Sequence, residues 1–429
     1  MLDMKFVREN KELVMASEKR RGNDPLRVSL LLDIDSKWKA SIKEEQDLRK
    51  LRNTVSEEIN ILMKEGKKEE AQQKIVSMKS VAQDITNKSA LSKKLYDERM
   101  SILKSIGNVL HESVPIGDDD TQNKELKRHG TIIEYDYEHK DHIELGLSLD
   151  LFDIDTAARV AGARFYYLKN EAVLLDMALQ RLALDRLSKA GFMMVSPPLM
   201  LNREALEGTV NLSEFEDTIY KVEEEDLYLI GTSEHALIAL KKDYMFMHDE
   251  LPFRLGGVSA CFRKEAGSHG RDTKGIFRVH QFNKVEEILF CMPEESYKYF
   301  YELQRLSEEL IEELEIPYRV VQICTGDIGN KQALQYDIEA WFPGQNNKKG
   351  AYREVTSCSN CTDYQSVPLN IRFQAKDNTK GYVHIINNTA LATARMIAAI
   401  IENHQQKDGS IRIPKVLVPY MGGIEVIKR

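Results

Sequence analysis

The chain has 429 residues, 42% hydrophobic and 30% charged, with a formal net charge of -8. That length holds two or three domains with a sizeable core, and the acidic balance excludes a generic polyanion binder, so any nucleic-acid contact has to be local. No apolar run reaches the roughly 18 residues of a membrane-spanning helix, MLDMKFVRENKELV reads as neither secretory signal nor transit peptide, and five scattered cysteines make no disulfide framework.

These features predict a cytoplasmic protein with no membrane association. Cys358 and Cys361 form one CxxC with no matching second pair. They read as two reduced thiols, not as a zinc site.

Residues 1 to 27 read as a short helical start and a turn at Arg20-Arg21-Gly22-Asn23-Asp24-Pro25. From about Leu30 to Ile106 there is no proline and one glycine, Gly66. Apolar residues recur at Leu48, Leu51, Val55, Ile59 and Leu62, then at Ala71, Ile75, Met78, Ala82 and Ile85, then at Leu91, Leu95, Ile102 and Ile106. Steps of three and four predict two long helices joined at Lys64-Glu65-Gly66-Lys67-Lys68, an antiparallel coiled-coil hairpin. Each helix would run about 50 Å at about 1.5 Å per residue, too long to bury, so the hairpin must project. Residues 35 to 105 hold 16 Lys/Arg and 12 Asp/Glu, so this arm is near +4 and the rest near -12. The charge leaves two readings open: contact with phosphates, or a solvated spacer or dimer seam.

Residues 108 to 140, with Pro115, Gly117 and Asp118-Asp119-Asp120, read as a linker between residues 1–110 and 111–429. Residues 171 to 189 are amphipathic, with Gly191 as a stop, and a strand runs on to Pro197-Pro198. Leu227 to Ile230 is strand-like. Val258 to Lys264 and Ile276 to Phe290 read as two strands around a loop with Gly267, Gly270 and Gly275. Pro293 to Glu315 is helical, and strand-like runs follow at Tyr318 to Ile323, Asp337 to Trp341 and Tyr352 to Thr356. With no βαβ repeat, the pattern predicts an α+β fold built on an antiparallel sheet.

The loop and stems around Gly270 carry Arg263, Lys264, Arg271, Lys274 and Arg278 with Glu265 and Glu286. Guanidinium forks clamp phosphate oxygens and carboxylates take an ammonium, so the segment suits a polyphosphate and an amine. Phe262-Arg263-x-Glu265, the glycine loop, and Phe277-Arg278-x-His280-Gln281-Phe282-x-Lys284-x-Glu286 resemble the second signature motif of class II aminoacyl-tRNA synthetases, in the form found in the seryl-tRNA synthetase family. The helix, strand and proline over 171–198 are similar to that class's first motif, its dimer interface. Asn387-Asn388-Thr389-Ala390-Leu391-Ala392-Thr393-Ala394-Arg395 resembles the third, in a form closer to archaeal and eukaryotic members. Leu48-Arg49, Arg52-Asn53, Ser56 and Ile59 resemble the family's tRNA-binding hairpin, and the resemblance covers nearly the whole chain.

The resemblance implies a serine–tRNA ligase. It would activate L-serine with ATP and magnesium and transfer the seryl group to serine tRNA, and to selenocysteine tRNA. The hairpin would grip the tRNA by backbone and shape, and the enzyme would be a homodimer. Arg263, Glu286 and Arg395 would be catalytic. A bidentate Arg263 could bridge the substrate carboxylate and the α-phosphate. Thr232, Glu234, Arg263, Glu286, Asn387 and Thr389 would hold serine. In Thr232-Ser233-Glu234 the same residues also read as a helix cap. Arg263, Glu265, Val279, Phe282, Glu354, Val355, Thr356, Ser357 and Arg395 would meet ATP, and Glu354 and Ser357 magnesium. The family usually has serine where Thr356 stands. His269 and Arg271 would touch phosphates or the tRNA end. His280 reads as a structural histidine. Two rivals were open: activation of an amino acid for a carrier protein, where the arm is usually missing, and an inactive paralogue, which would lose charges kept here.

Overall fold

A computed structural model describes residues 1–210, 217–265 and 275–429. The chain forms two compact units, Met1–Gly107 and Asn108–Arg429. Among the described residues no helix is long and apolar enough to cross a membrane.

In the first unit, two short helices, Met4–Glu9 and Lys11–Arg20, precede α1 (Leu26–Lys64) and α2 (Lys68–Ser105). At 39 and 38 residues each is about 58 Å long. They form the hairpin that the three–four spacing predicts. Its seam differs from the apolar count. In α2 the buried positions are Ala71, Ile85, Ser92, Arg99 and Leu103, while Ile75 and Leu91 are exposed, as is Leu51 of α1. The steps from 71 to 85, 92 and 99 are multiples of seven, so the stripe is a heptad that runs through polar residues. Asp35 explains why. Its buried carboxylate takes Arg99 Nε and Arg8 Nη1 at 2.8 Å and Lys39 Nζ at 3.0 Å. The Arg99 guanidinium also lies 4.7 Å from the Trp38 ring centre.

The second unit is built on eight strands: β1 (Lys124–His129), β2 (Met193–Val195), β3 (Phe253–Phe262), β4 (Gln281–Cys291), β5 (Tyr318–Gln322), β6 (Leu334–Phe342), β7 (Ala351–Asn360) and β8 (His384–Ala392). They run in the order β1-β5-β6-β7-β8-β4-β3-β2. All neighbours are antiparallel except β2 beside β3, so the α+β expectation holds with one parallel pair. Two sequence expectations are corrected. The stretch 108–140 is not all linker, because β1 adds to the sheet edge beside β5; its residues are all exposed, so no alternation marks it. Residues 276–280 are not strand. Ile276, Phe277 and Val279 are buried there without a ladder, so their composition reflected burial and not pairing.

Helices α3 (Glu171–Lys189), α4 (Ser233–Ala239), α5 (Ser296–Glu313) and α6 (Thr393–Asn403) complete the frame. After α3, Gly191 takes φ of +80°, a left-handed stop that a side chain would strain. The main core joins Leu179 of α3, Leu303 of α5 and Ile397 of α6 with Val285 and Leu289 of β4 and Ile386 of β8. A second core joins Leu237 of α4 with Ile288 and Phe290 of β4 and Ile385 of β8. Odd and even positions of β4 and β8 thus serve opposite faces, as strand geometry requires.

Candidate active site

The same alternation decides which polar side chains can meet. Glu286 stands in register with Gly257 of β3 and Thr389 of β8, on the face of the second core. Gly257 is needed there: a Cβ would come within 2.5 Å of Leu237 Cδ1. Its absence lets α4 close on β3 and bring Thr232 and Glu234 near Glu286.

Beyond β3 an open cleft, about 520 Å³ with the solvent in its mouth included, is lined by Arg263, Glu265, Phe277, Arg278, Val279, Phe282, Lys284, Glu354, Val355, Thr389 and Arg395. Arg263 Nε donates to Gly231 O at 3.1 Å, and its guanidinium lies 5.3 Å from the Phe282 ring centre. Arg278 Nη1 donates to Glu265 Oε2 at 2.9 Å. Glu265 holds φ of +51°, a left-handed conformation that costs a non-glycine residue energy. Arg395, in the first turn of α6, donates Nη1 to the Glu354 carbonyl at 2.8 Å and lies 3.2 Å from its carboxylate. The Arg353 and Arg395 guanidinium groups are 4.3 and 4.9 Å from the Phe277 ring centre. Desolvation raises the Glu354 carboxyl even though its side chain is half exposed, but the charges of Arg395, Arg263 and Arg278 outweigh it and hold the group below its ordinary range. Three guanidinium groups around two carboxylates make a clamp for phosphate oxygens.

A buried polar cluster adjoins the cleft through Lys284 and Thr389. Lys284 Nζ is 2.5 Å from Glu286 Oε2, and the Thr232 and Thr389 hydroxyls donate to the same oxygen at 3.5 and 3.4 Å. Burial pushes the Glu286 carboxyl up, only partly offset by Lys284. Thr232 Oγ1 also accepts from Glu234 N at 3.2 Å, so the helix cap and the site position coexist. Glu234 is buried, which would raise it, but the Lys331 charge brings it down to about 2. Asn387 Nδ2 donates to Cys361 Sγ at 3.3 Å. His280 is structural: its Nδ1 lies 2.7 Å from the Arg263 carbonyl.

Ser357 of β7 faces Asp337 of β6 in register, and its hydroxyl accepts from Gln335 Nε2 at 3.1 Å. Burial and the neighbouring Glu354 charge push the Asp337 carboxyl well above its ordinary range. Asp337 Oδ1 accepts from Gln335 Nε2 at 3.0 Å, and no cation among the described residues pairs with it. No three metal-ligating side chains cluster among the described residues. Glu354, Ser357 and Asp337 nonetheless fit magnesium, which takes one or two carboxylates and completes its shell with water and phosphate oxygens.

The structure therefore brings Arg263, Glu265, Val279, Phe282, Glu354, Val355, Thr389 and Arg395 to one cleft, with Thr232, Glu234, Glu286 and Asn387 buried beside it. It does not bring Thr356. That residue pairs with core residue Ile338, and its hydroxyl is buried with no partner among the described residues. The period-two strand points it away from Ser357 and the cleft. Gly267, His269, Gly270, Arg271 and Lys274 lie outside the described residues. Sequence reasoning missed Lys331, Gln365 and Asp337. Two carboxylates alternate inside the strand-like run Asp337–Trp341, and of these Glu339 is paired with Arg319 Nε at 2.6 Å, which left Asp337 as a signal; the other two had none.

Two family models match the chain. One, described as the tRNA synthetase class II core domain (G, H, P, S and T), covers residues 218–404; the other, the seryl-tRNA synthetase N-terminal domain, covers residues 1–110. The Serine--tRNA ligase of Methanospirillum hungatei is 46% identical over 432 residues, all of both chains. The seryl-tRNA synthetase of Pyrococcus horikoshii, solved with ATP, superposes with a TM-score of 0.89 at 44% identity, over 100% of this chain and 99% of that one. The cytoplasmic Serine-tRNA ligase of Naegleria fowleri, solved with AMP, gives 0.85 at 35% identity over the same shares.

Proposed function

This chain belongs to the seryl-tRNA synthetase family of class II aminoacyl-tRNA synthetases, and from that membership we propose how its residues divide the work. It is a serine–tRNA ligase. Serine is activated with ATP to seryl-adenylate, releasing pyrophosphate, and the terminal ribose hydroxyl at the 3′ end of tRNA then takes the seryl group, breaking the acyl–phosphate bond and releasing AMP.

In this reading ATP lies in the cleft with adenine on Phe282 and beside Val279. Arg263 bridges the serine carboxylate and the α-phosphate, holding the attacking oxygen in line with phosphorus and stabilising the charge that develops. Glu265 and Val355 complete the nucleotide contacts, and Arg395 meets the γ-phosphate. Glu286 accepts from the serine ammonium. Thr389 and Asn387 take the serine hydroxyl, and Thr232 and Glu234 close the pocket. A site that pairs this hydroxyl leaves its own groups unpaired with alanine, which can reject the analogue by about 10⁴ to 10⁵. Magnesium would be held by Glu354, Ser357 and Asp337, and when bound it neutralises phosphate charge. No general base is required, because the serine carboxylate is already ionised.

Residues 1–110 serve tRNA binding and residues 111–429 catalysis. The cations of α1 and α2 contact the tRNA backbone, and selenocysteine tRNA is served by the same grip. The enzyme works in the cytoplasm as a homodimer. Its interface would include Val173, Leu174 and Met177 on the outer side of α3 and Met193 on edge strand β2, all exposed.

The observation that carries this reading is the meeting of Arg263, Phe282, Lys284, Glu354 and Arg395 around one cleft. ATP–pyrophosphate exchange across the amino acids tests it. Exchange should depend on serine and be abolished in Arg263→Ala. Exchange retained by that variant, or supported better by another amino acid, would overturn the assignment.

A further inference from the structure

Lys331 lies in the segment between β5 and β6, a region that no motif in the sequence marks. Asn108 Nδ2 fixes its backbone by donating to its carbonyl at 3.0 Å. Its ammonium reaches across to Glu234 Oε1 at 2.5 Å. Gln365 Nε2 donates to the same oxygen at 2.7 Å and to Thr209 O at 3.0 Å. Both donors use Oε1, so they fix the carboxylate without occupying Oε2. A side chain held by two donors has one geometry, and that is what precise recognition of a small substrate needs.

We propose that Lys331 is a positioning residue for the amino-acid substrate, acting through Glu234 to keep that carboxylate a fixed, charged acceptor. The inference rests on the assignment of Glu234 to serine. Its surroundings explain why a cation is required. Glu286 stands near enough to repel Glu234, and His235 on the same helix is pushed down to about 3, first by burial, so it stays neutral. Lys284 is engaged by Glu286 and Arg263 by Gly231, while the Cys361 thiol is pushed up to about 12 by burial and stays neutral. Lys331 is the cation that pairs directly with Glu234 among the described residues. Burial works against its charge, but Glu234 restores it and holds it protonated.

The test is ATP–pyrophosphate exchange with the full-length K331M, K331Q, K331R and E234Q variants, with melting temperature as a control. Losing a charged partner of a buried acceptor predicts an increase in the serine KM of about tenfold to a hundredfold in K331M and K331Q. The turnover number at saturating serine and the KM for ATP should stay within about threefold of the parent. Without its cation Glu234 titrates higher, so the pH profile of kcat/KM for serine should gain an acid limb that the parent lacks. K331R should remove that limb. A serine KM within twofold of the parent in both neutral variants, a parallel rise in the ATP KM, or no acid limb would make Lys331 structural only. If K331M does not fold, K331Q decides by the same criteria. E234Q separates the two ideas: an unchanged serine KM there removes the assignment of Glu234 itself. Impaired E234Q beside unimpaired Lys331 variants removes only the role of Lys331.

Discussion

Glu286 and Glu287 are neighbours with opposite surroundings. Glu286 faces the site with Lys284 at 2.5 Å. Glu287 faces the core, takes one hydrogen bond from Asn388 Nδ2 at 3.2 Å, and its Oε1 has no partner among the described residues. Burial therefore pushes its carboxyl well above the ordinary value. A carboxyl raised in the folded state prefers its proton there, so it lowers stability as pH climbs from the unfolded value, about 4.3, through the folded one. Glu287→Gln keeps the shape without the charge, and its amide can donate to Asn388 Oδ1, which also lacks a partner. The variant should be more stable than the parent by about 1–3 kcal/mol near pH 8. The gain should vanish near pH 4, where both states of the parent carry the proton. Denaturant melts at the two pH values check this; an equal gain at both would show that charge is not the cause. The residues of the three motifs were legible because their chemistry comes with spacing. Lys331 and Gln365 were not, since each enters the pocket alone from a segment with no periodicity to read.

At the scale of elements, the hairpin was legible as two helices and illegible as a seam. Counting apolar residues finds a period, but it cannot see that Arg99 holds a heptad position because Asp35 lies opposite. Burial alone would raise that carboxyl, and three cationic partners bring it below its ordinary range. Asp35→Ala would leave Arg99 nearly buried without its counterion, and breaking a buried pair in this way costs about 3–5 kcal/mol. The expected result is an earlier melt of the helical signal with pyrophosphate exchange retained; an unchanged melt would mean that the Trp38 contact suffices to hold Arg99. Strand β1 was illegible for a different reason: all its residues face solvent, so only the free edge of β5 selects it. Helix α3 makes the complementary case. Its inner stripe enters the core while Val173, Leu174 and Met177 stay exposed, as the proposed dimer interface requires. Met177→Glu should convert the dimer to monomer in sedimentation, and a parent that already sediments as a monomer would refute the interface.

For the whole molecule, the charge is divided as the labour is. The arm is near +4 and the remainder near -12, counted over residues 35–105 and the rest. An acidic body repels tRNA, so in the proposed reading the cationic arm supplies the long-range attraction, which weakens with salt. The residues proposed for activation all lie in Asn108–Arg429, the second compact unit. Removing the distal hairpin should therefore separate two activities that share one chain. The cut is best placed beyond the Asp35–Arg99 and Ser41–Lys88 contacts, replacing residues 46–86 with a short glycine turn, so that the base of the hairpin keeps its packing. Serine-dependent pyrophosphate exchange should stay within about twofold of the parent, while tRNA aminoacylation at physiological salt should fall by at least about a hundredfold. The residual aminoacylation should also depend less steeply on salt, because fewer phosphate contacts release fewer counterions. Loss of exchange on truncation would show that the hairpin also supports the active site. Aminoacylation that survives with its salt dependence unchanged would assign α1 and α2 to the spacer role that their charge alone left open.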